Sequence, residues 1–261
     1  MTDEPLVVET FGSGVAWVTL NRPEVHNAFD DDLINRLGEA FTRLGSDDSV
    51  RAIVLAGNGK SFSAGADLNW MKRMAGCSDD ENQADAHRLA SVLKLMSRLA
   101  KPVIGRVHGS AFGGGLGLVA ACDIAIAAEE AQFMLSEVRL GLIPAVISPF
   151  VVAAIGERQA RRYFLTAERI SATEAARIGL VHRVVAADAL DDAVDTVLGH
   201  LAKAGPQALG LAKDLIHAVA GKEIDDSVTA DTARRIADAR AGPEGREGVS
   251  AFLEKRKPNW V

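Results

Sequence analysis

Between Pro102 and Pro144 the chain sets an apolar run, Val103 to Val107, ahead of a glycine cluster at Gly113, Gly114, Gly115 and Gly117. A small-residue segment and a second apolar run, Ile124 to Ala128, follow. The first run has the length and flanking turn residues of a buried strand. Glycines directly after such a strand let the backbone approach a ligand, because no Cβ stands in the way. The spacing predicts a helix from Gly114 to Ala121, whose first N–H groups and positive dipole end face the loop. An anion, resident or developing during a reaction, suits that position.

Three nucleotide or hydrolase readings fail on spacing. No Lys-Ser/Thr follows the cluster, so it is not a phosphate loop. From Gly113 the G-x-G-x-x-G pattern arrives at Leu118, so the dinucleotide fingerprint is absent. No G-x-S-x-G surrounds Ser110, which removes a nucleophile elbow. The loop is left with backbone donors and small size.

A second strand-to-small-loop unit precedes it: Ala52 to Ala56, then Ser61-Phe62-Ser63-Ala64-Gly65-Ala66-Asp67-Leu68. The two units can meet at one pocket. Two strands are expected within residues 6–20, then an amphipathic helix (Leu33, Leu37, Phe41, Leu44) entered through Asp30 to Asp32. Residues 73–86 are polar and acidic and read as a mobile loop or frayed helix before a helix from His87 to Leu99. Helices are expected near 147–155 and 158–166, a short one at 173–178, and a strand at 180–185. From about Asp188 the chain reads as helical throughout, over 189–204, 206–220, 226–240 and 244–256. This pattern is α/β with a helical tail.

The net charge of −6 argues against nucleic acid as the main partner. No apolar stretch is long enough to cross a bilayer. The acidic start, Met1 to Pro5, lacks a signal-peptide layout, and the two cysteines, Cys77 and Cys122, lie in unlike contexts. A reduced, cytoplasmic protein is the expectation. The six histidines show no paired metal spacing, so no metal site is expected.

Five segments in order carry a family resemblance: Asn21-Arg22-Pro23 with Asn27-Ala28; Ser63-Ala64-Gly65-Ala66-Asp67; Gly109 to Gly115; Cys122-Asp123; and Ser250-Ala251-Phe252-Leu253-Glu254-Lys255-Arg256. Together they resemble the crotonase (enoyl-CoA hydratase/isomerase) family along nearly the whole chain. The resemblance implies a spiral of ββα units over residues 1–195 and a helical trimerisation subdomain over 196–261. The product would be a homotrimer or a dimer of trimers. It implies an acyl-CoA thioester as substrate, with no cofactor besides the coenzyme A that the substrate carries.

By position, the resemblance makes the N–H groups of Ala66 and Gly114 an oxyanion hole for the thioester carbonyl. Taken alone, each glycine loop reads as a tight turn that packs helix on sheet; the pair, with the surrounding matches, reads as a functional site. Family hydratases carry two catalytic glutamates. The second falls on Glu137, whose alternative is a helix-start residue satisfying backbone donors beside Ser136. The first falls on Gly117, which offers no side chain. One carboxylate is the pattern of enoyl-CoA isomerases. However, the run from Leu135 to Phe150, with Ala66 to Met71, is most similar to bacterial hydratases of branched glutaconyl-CoA esters (3-methylglutaconyl-CoA and isohexenylglutaconyl-CoA) in leucine and isoprenoid breakdown. That branch shares a G-G-G-x-G-L form, so Gly117 is compatible with activity. The α-carbon proton is then expected from Glu137 itself or from a second water in the space beside Gly117.

The resemblance places the CoA adenine along Ala64 to Leu68, Asp67 included, and near Val25 and His26. Phe252 and Lys255 match positions where a neighbouring subunit contacts CoA, and a lysine there can reach phosphates. Trp70, Met71 and Met74 read equally as acyl-pocket wall and as core. Arg139 fits a surface or structural ion pair better than a partner for a distal substrate carboxylate. Asp123 is expected to be a structural carboxylate. The rival functions are an enoyl-CoA isomerase and a noncatalytic acyl-CoA-binding paralogue.

Overall fold

The computed structural model of the chain describes residues 4–261; Met1 to Asp3, the first part of the acidic start, lie outside the described residues. Strands β1 (Leu6–Thr10) and β2 (Val15–Leu20) form an antiparallel hairpin. Helix α1 (Asp31–Ser46) follows, capped by the Asp30 carboxylate, which accepts the Leu33 N–H at 2.9 Å. Its apolar positions Leu33, Ile34, Leu37, Phe41 and Leu44 recur at helical spacing and are all buried. Each contributes roughly 1.5–3 kcal/mol of burial. Strand β3 (Ala52–Gly57), buried throughout, leads to α2 (Leu68–Met74) and α3 (Asp79–Arg98).

A repeating unit then becomes visible. Strand β4 (Val103–Val107) passes into the short β5 (Ser110–Phe112) and helix α4 (Gly114–Ala121). Strand β6 (Ile124–Ala128) passes into the short β7 (Gln132–Met134), a 3-10 turn (Glu137–Leu140) and α5 (Ser148–Thr166), which is broken at Gly156. Because β4 pairs parallel with β6 and β5 parallel with β7, each ββα unit stacks on the previous one. The remaining elements are β8 (Ile170–Ser171), α6 (Ala172–Arg177), β9 (Arg183–Val185), α7 (Leu190–Leu201), α8 (Pro206–Val219), α9 (Asp226–Ala241) and α10 (Pro243–Leu253).

Two sheets result: a six-stranded one in the order β1-β2-β3-β4-β6-β9, and a three-stranded one in the order β5-β7-β8. The α/β reading with helical C-terminal elements holds. Residues 73–86 depart from it. Only residues 75–78 are a turn between helices; Ser78 and Glu81 form a capping box that starts α3 at Asp79, so 79–86 are helical. The division expected at residue 195 falls inside α7, whose Leu190, Ala193 and Val194 pack on the sheet through Val54, Ile104 and Ile126. Helix α8 is tied to the core by Lys213, buried, whose Nζ donates to Asp123 Oδ2 at 2.7 Å and to the Met96 carbonyl at 3.1 Å. Asp123 Oδ2 also accepts the Val103 N–H at 2.7 Å. The structural role expected of Asp123 is the one it has. Among the described residues no helix is long and apolar enough to cross a membrane.

Candidate active site

The two glycine loops meet through backbone. Ser63 pairs with Ala111 in an isolated bridge: the Ser63 N–H donates to Ser110 O and the Phe112 N–H to Ser63 O. Gly65, at φ +94°, faces Gly113, at φ +50°, so closely that a Cβ on Gly65 would stand 3.0 Å from the Phe112 carbonyl oxygen and 3.8 Å from Gly113 Cα. Both backbone conformations and the approach itself require glycine.

Asn27 sets the height of the first loop. Fully buried and at φ +55°, it donates from Nδ2 to the carbonyls of Asn58, Ser61 and Phe62 at 2.9, 2.8 and 3.1 Å. Its own carbonyl accepts the Ser63 hydroxyl at 2.9 Å. The motif containing Asn27 is conspicuous in the sequence, but its role is not, because its partners lie over thirty residues away.

The direction of each donor follows from peptide planarity. The Gly65 carbonyl accepts the Phe29 N–H at 2.6 Å, and Phe29 O accepts the Asp67 N–H at 2.8 Å. In a trans peptide the Ala66 N–H therefore points away from Phe29, and it donates to no group among the described residues. Likewise the Gly113 carbonyl accepts the Gly117 N–H at 3.1 Å, so the Gly114 N–H points out of the start of α4 without a partner among the described residues. The two donor peptides follow the two touching glycines, so they lie side by side.

Glu137 occupies the third side. Its Oε1 lies 3.2 Å from where a Cβ on Gly113 would stand, and its Oε2 is buried without a hydrogen-bond partner. Burial pushes the carboxyl above the usual glutamate range. Ser136 gives the 3-10 turn no side-chain cap; the Glu137 carboxylate feels its own backbone N–H, which works against the burial shift, and it turns toward the glycines. A carboxylate with a raised pKa beside two free N–H donors can move a proton while a neighbouring oxygen takes up negative charge.

The space expected beside Gly117 is filled, where a side chain would begin, by Ile147. A Cβ on Gly117 would stand 2.2 Å from Ile147 Cγ2, and Ile147 is 3% exposed. The loop that carries Glu137 returns at Ile147 to fill that space, a packing relation with no local sequence signal. Phe29 is a second residue that sequence reasoning missed: its ring abuts Gly114, where a Cβ would stand 2.7 Å from Cε2.

Of the other expected residues, His26 lies beside Ala64, whose N–H donates to the His26 carbonyl at 2.9 Å, and Val25 precedes it in the 3-10 turn Pro23–Val25. Leu68 is exposed. Asp67 is 7% exposed, and both its oxygens are committed, Oδ1 to the N–H groups of Asn69 and Trp70 and Oδ2 to Arg22. Its side chain is thus a helix cap, leaving only backbone to a ligand. Trp70 packs half-buried against the core, its Nε1 buried and unpartnered. Arg139 donates to the Ala167 carbonyl at the end of α5, at 2.7 Å, a structural hydrogen bond to backbone in place of the expected ion pair. Phe252, 81% exposed, and Lys255 sit at the end of α10, among the C-terminal helices.

The chain matches the sequence profile of the family described as Enoyl-CoA hydratase/isomerase over residues 10–261. It is 45% identical to a Legionella pneumophila protein assigned as an enoyl-CoA hydratase/isomerase (crotonase), whose crystal structure superposes with a TM-score of 0.93 and full coverage of both chains. An enoyl-CoA hydratase structure from Shewanella pealeana gives 43% identity and a TM-score of 0.96, covering 98% of this chain and 96% of that one. The crotonyl-CoA hydratase of Syntrophomonas wolfei is 34% identical over 249 residues, 95% of this chain and 94% of its own length.

Proposed function

The chain belongs to the enoyl-CoA hydratase/isomerase family, and from that premise we propose that it is an enoyl-CoA hydratase acting on a branched glutaconyl thioester such as 3-methylglutaconyl-CoA. The observation that carries the reading is the Glu137 carboxylate, desolvated and half free of partners, beside the two unpaired N–H groups of Ala66 and Gly114.

Glu137 takes a proton from water as the oxygen bonds to the β-carbon. The C2=C3 electron pair moves toward the thioester, and its carbonyl oxygen becomes an enolate oxygen held by the Ala66 and Gly114 N–H groups. Donors of this kind are worth about 3 kcal/mol each. Glu137 then returns its proton to the α-carbon, so the elements of one water are added and the carboxylate is restored. Ile147 fills the place where a side chain on Gly117 would begin, so Glu137 is the carboxylate assigned to both transfers.

The glutaconyl part of the reading rests on the run from Leu135 to Phe150. Val25, His26, Ala64 and Leu68 would flank coenzyme A. The C-terminal helices expose Ile216, Ile236, Val249, Phe252 and Leu253, an apolar surface suited to a homotrimer in which Phe252 and Lys255 serve a neighbour's CoA.

The test is turnover of 3-methylglutaconyl-CoA and, separately, crotonyl-CoA, followed by loss of the conjugated thioester absorbance. Fast turnover of the first with little of the second is expected. Comparable rates would replace the branched substrate with a broad enoyl range. Silence on both, with CoA-ester binding intact, would move the assignment to an isomerase or a binding-only protein.

A further inference from the structure

We propose that Arg22 is a positioning residue for the Ala66 N–H, acting through Asp67. The inference rests on the oxyanion reading of Ala66 proposed above and adds what holds that donor in place.

Arg22 lies far from the donor loop in sequence but is fixed against it at both ends. Its backbone N–H donates to Asn27 Oδ1 at 2.8 Å. Its guanidinium donates to the Ala28 carbonyl at 2.7 Å and pairs with Asp30 at 2.8 Å and Asp67 at 3.2 Å. These partners belong to two pieces of chain, the 28–30 segment and the donor loop at Asp67. Asp30 caps α1, Ala28 precedes the Phe29 backbone that pairs with Gly65 and Asp67, and Asp67 caps α2. Ala66 sits between Gly65 and Asp67, so its peptide is held on one side by Phe29 and on the other by a carboxylate that Arg22 grips.

The guanidinium side chain is 18% exposed and that of Asp67 is 9% exposed, so water competes little for the pair. A planar fork that reaches two carboxylates and a carbonyl at once is an arginine function; a lysine ammonium on a flexible stem would hold one partner firmly. Loss of the grip leaves the α2 cap able to swing and the Ala66 N–H free to tilt. A misplacement of about 1 Å at a catalytic donor costs on the order of a hundredfold in rate.

The experiment uses the full-length protein and para-dimethylaminocinnamoyl-CoA, a conjugated thioester whose absorbance moves to longer wavelength when its carbonyl oxygen is polarised. Arg22→Met, Arg22→Lys and Asp67→Asn are compared with the wild type. The asparagine retains an oxygen for the α2 cap but loses the charge that Arg22 grips. Expected are a red shift on wild-type binding, a smaller shift in Arg22→Met and Asp67→Asn, and an intermediate one in Arg22→Lys. The kcat of the first two falls about tenfold or more while KM changes little. Wild-type shift and kcat in Asp67→Asn, or in a folded Arg22→Met that differs only in melting temperature, would overturn the proposal. Should Arg22→Met fail to fold, Asp67→Asn decides alone. Absence of any red shift in the wild type would overturn the oxyanion reading itself, and the role of Arg22 with it.

Discussion

Ile147 Cγ2 lies 2.2 Å from the point where a Cβ on Gly117 would stand. Helix α4 and the loop after Glu137 are therefore packed through a glycine. Gly117→Ala is expected to destabilise the protein by about 1–3 kcal/mol through overpacking. Ile147→Ala alone should cost about 2–4 kcal/mol by leaving a cavity. The double variant should be more stable than the sum of the two losses implies, by at least about 1 kcal/mol. Urea unfolding of the four proteins measures this coupling, and additive energies would refute the packing account.

Phe29 and Gly114 form a second such contact, this time at a donor. A Cβ on Gly114 would stand 2.7 Å from Phe29 Cε2, and Phe29 is fully buried and cannot swing out to water. Gly114→Ala should displace the start of α4 and lower kcat by about a hundredfold, the scale of losing one oxyanion donor. Shrinking the ring in the same background, with Phe29→Leu, should restore part of the rate. If Gly114→Ala keeps wild-type kcat on the preferred substrate, the Gly114 N–H is not a working donor.

What was legible in the sequence had a local cause. The bounds of β4, α4 and β6 follow from an apolar run, a glycine cluster and a second run, each sufficient by itself. The small sheet was not legible. Strands β5, β7 and β8 span two or three residues each and exist because Ser110 meets Gln132 and Phe133 meets Ile170 across the spiral. The first turns of α3 were hidden by their charge, although Ser78 and Glu81 stand at capping-box spacing and that signal was available. At the site, Glu137 and the two donor loops were visible through their resemblance to a family. The roles of Asn27 and Ile147 and the donor directions needed coordinates, since each depends on which distant carbonyl or side chain is near.

Lys213 and Asp123 form an ion pair that joins α8 to the core, with the lysine side chain 10% exposed. Lys213→Met removes one partner and leaves a half-buried carboxylate, its side chain 25% exposed, so a loss of about 1–3 kcal/mol is expected. Burial, working against the neighbouring Lys213, already holds the Asp123 carboxyl above its ordinary range. In the folded variant, without the lysine, it should titrate higher still. A folded-state pKa above the unfolded one means stability present at low pH and lost as pH rises through the folded value. The variant should therefore be weakened more at pH 8 than at pH 5, and Asp123→Asn added to it should recover part of the loss. Melting curves at both pH values check the sign; a loss that is the same at both would mean the carboxylate is not the cause.

Glu137 carries the clearest conflict between stability and chemistry. Its carboxyl is raised above 4.5 by burial, and its Oε2 has no partner. By the same linkage, the folded protein binds this proton more tightly than the unfolded chain. The charged form thus costs stability once pH rises through the folded pKa, and the cost vanishes below the ordinary glutamate range. Glu137→Gln should then be more stable than the wild type at pH 8, by about 1 kcal/mol, with the gap closing as pH falls toward 4. The reaction runs in the opposite sense, because the base must be ionised to take a proton from water. Wild-type kcat should fall on the acid side with a limb displaced upward from the ordinary glutamate range. The glutamine variant should lose that limb together with about 10²- to 10⁴-fold in kcat. Melting and turnover measured on the same two proteins across pH separate the effects. A variant that is slower but no more stable at pH 8 would mean that Glu137 is better solvated than its position against Gly113 implies. One that keeps its rate would remove Glu137 from the mechanism.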